Sequence, residues 1–239
     1  MPKRIWEDDS LSSASNGRRG RWYGLLLWIR GALAIVERLL GRDDAPVGQV
    51  GGLISPLLEV LRTGKAASWV KGQRVLDCGC GRAKILQMLS REIHYTGLDR
   101  DPDMADHLRR RHPNGCFLCM DVELEDLATN EQFDCLLMTA ILEHLAHPEA
   151  TLQRWVRHVR PGGRVVMTTP VPLGHRLLDL GSRLKVFDRA ASEDHKHPLG
   201  RAELEHLIAA CELELVVYQR FAFGGNQLVV ASKPSGPAR

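Results

Sequence analysis

The stretch Val75-Leu76-Asp77-Cys78-Gly79-Cys80-Gly81-Arg82-Ala83 carries the first chemical signal in this chain. A short apolar run ends in an acid, glycines alternate with other residues, and a stretch with helical character follows. Glycine lets the backbone turn sharply and lets a ligand approach to van der Waals distance. An acid at the end of a strand can hold a cationic amino group or order the loop. A dinucleotide fingerprint, Gly-x-Gly-x-x-Gly, would place its third glycine where Lys84 stands, so a nicotinamide cofactor is disfavoured. Two further strand-like runs also end in acids: 94–98 before Asp99, and 116–120 before Asp121.

The glycine run resembles the first motif of class I S-adenosylmethionine-dependent methyltransferases, Asp-x-Gly-x-Gly-x-Gly after a strand. Asp77, Gly79 and Gly81 match it; Ala83 stands where the third glycine usually does. Further along, Ala140-Ile-Leu-Glu143-His144-Leu is similar to the family's Leu-Glu-His signature after its fourth strand. Val159-Arg-Pro161-Gly162-Gly163 resembles the Leu-x-Pro-Gly-Gly turn before its fifth. Each piece alone has a bland reading, since acids after strands commonly cap helices and Pro-Gly-Gly is commonly a turn. Their order and spacing carry the resemblance, which covers roughly residues 53–232. It implies S-adenosylmethionine as cofactor, bound by Asp77, Gly79 and Gly81 at its amino-acid end. Asp99, with Arg100 beside it, would accept hydrogen bonds from both ribose hydroxyls. Asp121 and Val122 would meet the adenine, and Thr139 would close the cofactor contacts.

Methyl transfer from a sulfonium is an in-line displacement, so the protein mainly supplies proximity and orientation. A base is needed only for a poorly acidic hydroxyl or amine acceptor. His144 follows the fourth strand at the edge where open α/β sheets place their ligands, and its side chain suits proton transfer near neutrality. The competing reading is that Glu143 and His144 cap a helix or line the cofactor pocket. His195 and His197, with Asp194, are second candidates for a base; no further ligands accompany them, so no metal is expected. In the family their region forms the acceptor lid. The Asp194-His-Lys-His197 run, with Gly200-Arg-Ala-Glu-Leu-Glu-His206-Leu and Phe223-Gly-Gly-Asn226-Gln, resembles methyltransferases among bacterial cell-envelope and polysaccharide enzymes. That resemblance favours a small-molecule, glycan, lipid-linked or quinone-like acceptor and an O-methyl product, with no nucleic-acid partner. The alternative is a non-catalytic cofactor-binding or membrane-associated protein of the same fold, motivated by Ala83 and the basic, apolar N-terminal region.

These residues need a scaffold of alternating strands and helices. Strands are predicted at 74–77, 94–98, 116–120, 133–139 and 164–168, with helices at 84–91, 104–111 and 148–159. A helix over 53–70 precedes them. The chain then runs through a helix at 201–211 into two successive strands, 213–217 and 228–231. Such alternation predicts an α/β, Rossmann-like, mostly parallel seven-stranded sheet with helices on both faces and a terminal antiparallel hairpin.

The net charge of +3 is too small to point to nucleic acid, and 44% hydrophobic residues suit an ordinary globular domain. Residues 1–20 read as a flexible basic and polar arm, and 233–239 as a disordered tail. Residues 21–52 combine an apolar helix with a linker. Arg30, Glu37 and Arg38 interrupt the apolar run, which argues against a spanning helix. Two readings stand for 21–40: a helix packed on the domain or on a second subunit, or an interfacial helix on anionic lipid. The cysteines lie mostly in apolar, strand-like runs, which suits free buried thiols in a reducing cytoplasm, with a peripheral place at the inner membrane face under the second reading. Cys116 and Cys119 read as two small core residues rather than a zinc half-site.

Overall fold

The computed structural model describes residues 55–172, 199–222 and 224–235. The expectations for 1–20 and 21–52 fall outside the described residues, as do those for His195 and His197.

Helix α1 (Ser55–Ala67) leads to β1 (Arg74–Cys78), β2 (His94–Asp99), helix α2 (Pro102–Arg111), β3 (Cys116–Cys119) and β4 (Phe133–Thr139). Helix α3 (Pro148–Val156), β5 (Val159–Pro170), helix α4 (Arg201–Ala210), β6 (Glu214–Phe221) and β7 (Asn226–Ser232) follow. The seven strands form one sheet in the order β3-β2-β1-β4-β5-β7-β6. Strands β1 to β5 pair in parallel, while β7 runs antiparallel to both β5 and β6. Strand order reverses between β1 and β4, and open α/β sheets bind ligands beyond the carboxyl ends of the strands at that point.

Period-two alternation sorts the core onto two faces. Leu76, Leu98, Leu136, Met138 and Met167 pack with Leu152, Trp155 and Leu204 of α3 and α4. Val75, Tyr95, Cys135, Leu137 and Val166 pack on the other face with Ala66, Met104 and Leu108 of α1 and α2. Local signals set the helix ends. In α2, Asp101 accepts from the amides of Asp103 and Met104, Pro102 opens the first turn, and Arg109 to Arg111 close the last.

Five expectations change. The helix predicted over 84–91 is one 3-10 turn, Lys84–Gln87, because the glycine loop uses the chain that precedes it and β2 begins at His94. Helix α3 stops at Val156, since Val159 is drawn into the sheet opposite Phe133; the Pro161-Gly162-Gly163 turn then bulges out before Arg164 rejoins opposite Cys135. Strand β6 extends through Gln219 and Arg220, polar residues that an edge strand exposes to solvent. Cys116 and Cys119 are exposed rather than core residues, because β3 is the opposite edge strand; Cys78, Cys135 and Cys211 are buried, and all six thiols are free. Lys233, placed in the tail by sequence, is tied to the domain: its ammonium donates to the carbonyls of Val156 and Val159, at 3.0 and 2.8 Å.

Candidate active site

Asp77 is the last buried acid of β1, 2% exposed. The Tyr95 hydroxyl of β2 donates to its Oδ2 at 2.6 Å, while Oδ1 has no hydrogen-bond partner among the described residues. Burial pushes this carboxyl up to about 7; the Tyr95 bond opposes the shift and the charge of Asp99 adds to it.

The loop after β1 folds over the end of β2. The amides of Gly79 and Cys80 both donate to the Leu98 carbonyl, at 2.8 and 2.9 Å. Gly79 has φ +74°, and a Cβ there would sit 2.3 Å from Ile141 Cδ1. Gly81 has φ +49° with open space where a Cβ would point, so a ligand can reach its backbone. Its amide donates to Asp99 Oδ2 at 2.8 Å. Ala83, at the family's third glycine position, adopts the same left-handed backbone, φ +49° and ψ +34°, with its methyl buried. The substitution therefore preserves the conformation for which glycine is used.

Asp99 is half-buried at the end of β2; its second oxygen accepts the Asp101 amide at 3.1 Å. Arg100 beside it is exposed. Asp121 is half-buried beyond β3 and accepts the Glu123 amide at 2.9 Å; Val122 is buried, its carbonyl bonded to Trp155 Nε1 at 2.9 Å. Thr139 is half-buried at the end of β4. Next to it Ala140 takes φ +53° and donates its amide to the Thr168 carbonyl at 2.8 Å. His144 is half-buried and ends a 3-10 turn, Leu142–His144. The strand ends thus bring Asp77, Gly79, Gly81, Asp99, Asp121, Val122, Thr139 and His144 to the carboxyl edge of the parallel strands.

Sequence reasoning passed over a buried polar layer at the same edge. Glu143, read only as a helix cap or pocket wall, is 1% exposed, and its Oε2 has no partner among the described residues. Burial raises its pKa, while its own backbone amide, His144 and Arg62 oppose the rise. Thr169 stands close enough to favour the charged form, without hydrogen-bonding geometry of its own. The pKa of Arg62 of α1 is lowered by its burial, with Glu143 and Glu59 opposing; its Nε has no partner among the described residues. Glu59 also pairs with Lys84 of the glycine loop at 2.8 Å. Thr168, Thr169 and Asn226 complete the layer, each buried with a side-chain oxygen that has no partner among the described residues. One signal was available: Arg62 interrupts the apolar spacing of α1.

Buried polar atoms normally find partners, so this concentration makes the edge a candidate ligand site. Two buried carboxylates with raised pKa values favour a cationic ligand. The ammonium and sulfonium of S-adenosylmethionine meet that demand, and the acids ending β2 and β3 can accept from hydroxyls and an amino group. Among the described residues, no group of three or more His, Cys, Asp or Glu side chains could hold a metal ion.

Residues 75–163 match the family described as "Methyltransferase domain". An uncharacterized 37.1 kDa protein in transposon TN4556 of Streptomyces fradiae is 34% identical over 107 residues, covering 41% of this chain and 30% of that protein. The ubiquinone biosynthesis O-methyltransferase of Aeromonas salmonicida is 28% identical over 142 residues, covering 56% of this chain and 59% of that enzyme. In fold, the chain is similar to the magnesium protoporphyrin IX methyltransferase of Synechocystis solved with bound SAH. The TM-score is 0.60 at 13% identity, covering 89% of this chain and 99% of that one. The match over residues 75–163 is to a methyltransferase domain, and the fold is that of the class I S-adenosylmethionine-dependent methyltransferases. The methyltransferase-domain match and the neighbour solved with bound SAH indicate S-adenosylmethionine as the cofactor. The chain spans less than two thirds of the length of either relative matched by sequence.

Proposed function

We propose that this methyltransferase transfers a methyl group to an oxygen of a small-molecule, glycan or lipid-linked acceptor. The observation that carries the reading is the pair of buried carboxylates, Asp77 and Glu143, each with an oxygen that has no hydrogen-bond partner among the described residues. When bound, the cofactor supplies an electrophilic methyl on a sulfonium. In this reading Asp77 holds its ammonium group and the Gly79–Gly81 backbone lies against its amino-acid portion. Asp99, with Arg100 at its side, accepts from the ribose hydroxyls; Asp121 and Val122 meet the adenine, and Thr139 lines the wall between. Glu143 and Arg62 form the floor of the acceptor side, where Thr168, Thr169 and Asn226 present hydrogen-bonding groups suited to a hydroxylated acceptor. His144, in the turn after β4, takes the acceptor proton; His195 and His197 remain second candidates for that step. The O-methyltransferase named among the relatives supports oxygen as the acceptor atom.

Calorimetric titration with S-adenosylhomocysteine tests the cofactor half: no binding by the wild type, or equal binding by Asp99→Ala, overturns it. Radiolabelled methyl transfer into fractionated bacterial extracts tests the acceptor half, and label found only in protein or nucleic acid overturns that.

We also propose a cytoplasmic location with a peripheral hold on the inner membrane face through residues 21–40. The pattern of Trp22, Trp28, Arg21 and Arg30 supports it. No helix among the described residues is long and apolar enough to cross a membrane. Flotation of the full chain with anionic liposomes, but not of a chain starting at Gly41, is the expected result; equal flotation of both sinks the idea.

A further inference from the structure

The connection from β3 to β4, residues 120–132, forms turns but no helix. Side chains of α3 and of the residues just after it hold it in place instead. Trp155 Nε1 donates to the Val122 carbonyl at 2.9 Å, and Arg154 donates to the carbonyls of Val122 and Glu123. Further along, Asp126 meets His158 at 2.7 Å and Arg157 at 2.9 Å.

One bond set runs the other way. A single carboxylate oxygen of Glu123, Oε1, accepts from the backbone amides of both Ala146 and His147, at 2.7 and 2.8 Å. These residues immediately precede Pro148, which opens α3 and has no N–H to offer. Amides ahead of a helix have no partner within it, and the helix dipole makes that end attractive to an anion. His147 supplies no side-chain cap of its own, so Glu123 caps α3 from across the site. At its other end, the Glu123 amide is bonded to Asp121. Two hydrogen-bonded links therefore join Asp121 to Ala146, which lies two residues beyond His144.

We infer that Glu123 is a positioning residue that couples the adenine-side loop to the turn bearing Glu143 and His144, so that cofactor occupancy places that turn. The inference rests on the reading of Asp121 and Val122 as adenine contacts. An adenine amino group held by Asp121 fixes the Asp121–Glu123 bond and hence the Glu123 carboxylate. That carboxylate then anchors the amides of Ala146 and His147. The turn carrying the base is thereby set when the cofactor is present, and it gains freedom when the cofactor leaves.

Backbone hydrogen exchange on the whole protein, with and without S-adenosylhomocysteine, tests this. In the wild type the ligand should slow exchange across 121–126 and also at Ala146 and His147. In Glu123→Ala the slowing should stay within 121–126, and the ligand should bind about ten-fold more weakly. Glu123→Gln keeps one acceptor oxygen at the right place, so it should restore both the distant slowing and the affinity. A merely structural role would lower protection evenly, with or without ligand. Wild-type protein slowed at 121–126 but unchanged at Ala146 and His147 overturns the coupling, and that comparison needs no variant to fold. Full distant slowing in Glu123→Ala overturns it as well. Binding with no slowing at 121–126 overturns the adenine reading itself, a separate outcome.

Discussion

The Oδ2 oxygen of Asp99 accepts the Gly81 amide hydrogen at 2.8 Å, so the acid that ends β2 holds the loop that follows β1. Its Oδ1 accepts the Asp101 amide, which orients the carboxylate without exhausting its lone pairs. One side chain therefore shapes the glycine loop and is left able to receive hydroxyls. Asp99→Ala removes both functions. Its affinity for S-adenosylhomocysteine should fall about 10- to 100-fold, the loss of one or two charge-assisted hydrogen bonds. Calorimetry reads this directly.

Asp77 sets stability against binding. Its carboxyl is raised from 3.8 to about 7, so the folded protein holds this proton more tightly than the unfolded chain. Stability from this group is full below pH 3.8 and is lost as pH rises to about 7. Three pKa units correspond to about 4 kcal/mol, an upper bound, since burial of an ionised group is relieved by local relaxation. Asp77→Asn keeps an acceptor for Tyr95 and has no proton to lose. The ligand-free variant should be more stable than wild type by about 1–3 kcal/mol at pH 8, with no advantage at pH 3.5. Its cofactor affinity should drop at the same time. Thermal melts across pH check the first statement, and a variant less stable than wild type at pH 8 refutes it.

Cofactor binding should also release a proton below pH 7. An ammonium beside Asp77 favours its ionised form, so affinity for S-adenosylmethionine should rise as pH increases through the interval in which the free protein's carboxyl titrates. Titrations at pH 6 in two buffers of different ionisation enthalpy should give different apparent heats. Buffer-independent heats at pH 6 would exclude Asp77 as the group concerned.

Gly79 and Ala83 share a left-handed backbone but should respond differently to substitution. Gly79→Ala meets Ile141 Cδ1 at 2.3 Å in addition to the strain of its φ, so a loss of about 2–4 kcal/mol is expected. Shortening the neighbour in Gly79→Ala/Ile141→Val should recover part of that. At Ala83, glycine relieves about 1 kcal/mol of backbone strain but gives up a buried methyl of similar value, so Ala83→Gly should change stability by less than about 1 kcal/mol. Ala83→Val should be clearly destabilising. Denaturant unfolding of the four variants tests the ranking.

Residue pattern alone made the strand ends legible. Apolar runs that stop at Asp77, Asp99 and Asp121 require strands whose last residues meet solvent or ligand, and the glycines between β1 and Lys84 require a turn. Where β5 begins and where α3 stops depend on Val159 pairing with Phe133, a choice that local propensity does not contain. Exposure of Cys116 and Cys119 depends on β3 lying at the sheet edge, which hydropathy does not reveal.

The sequence by itself determined the class of fold and the acids at the strand ends, because period-two and helical patterning and turn chemistry are local; the cofactor followed from its resemblance to class I methyltransferases. Only the tertiary structure decided which polar groups are buried without partners and which distant residues act together. Tyr95 reaches Asp77 across 18 residues, Glu123 reaches Ala146 across 23, and Arg62 acts on Glu143 from another helix. Those relationships arise from strand register and helix docking, and their strength comes from exclusion of water, which exists only once the chain has folded.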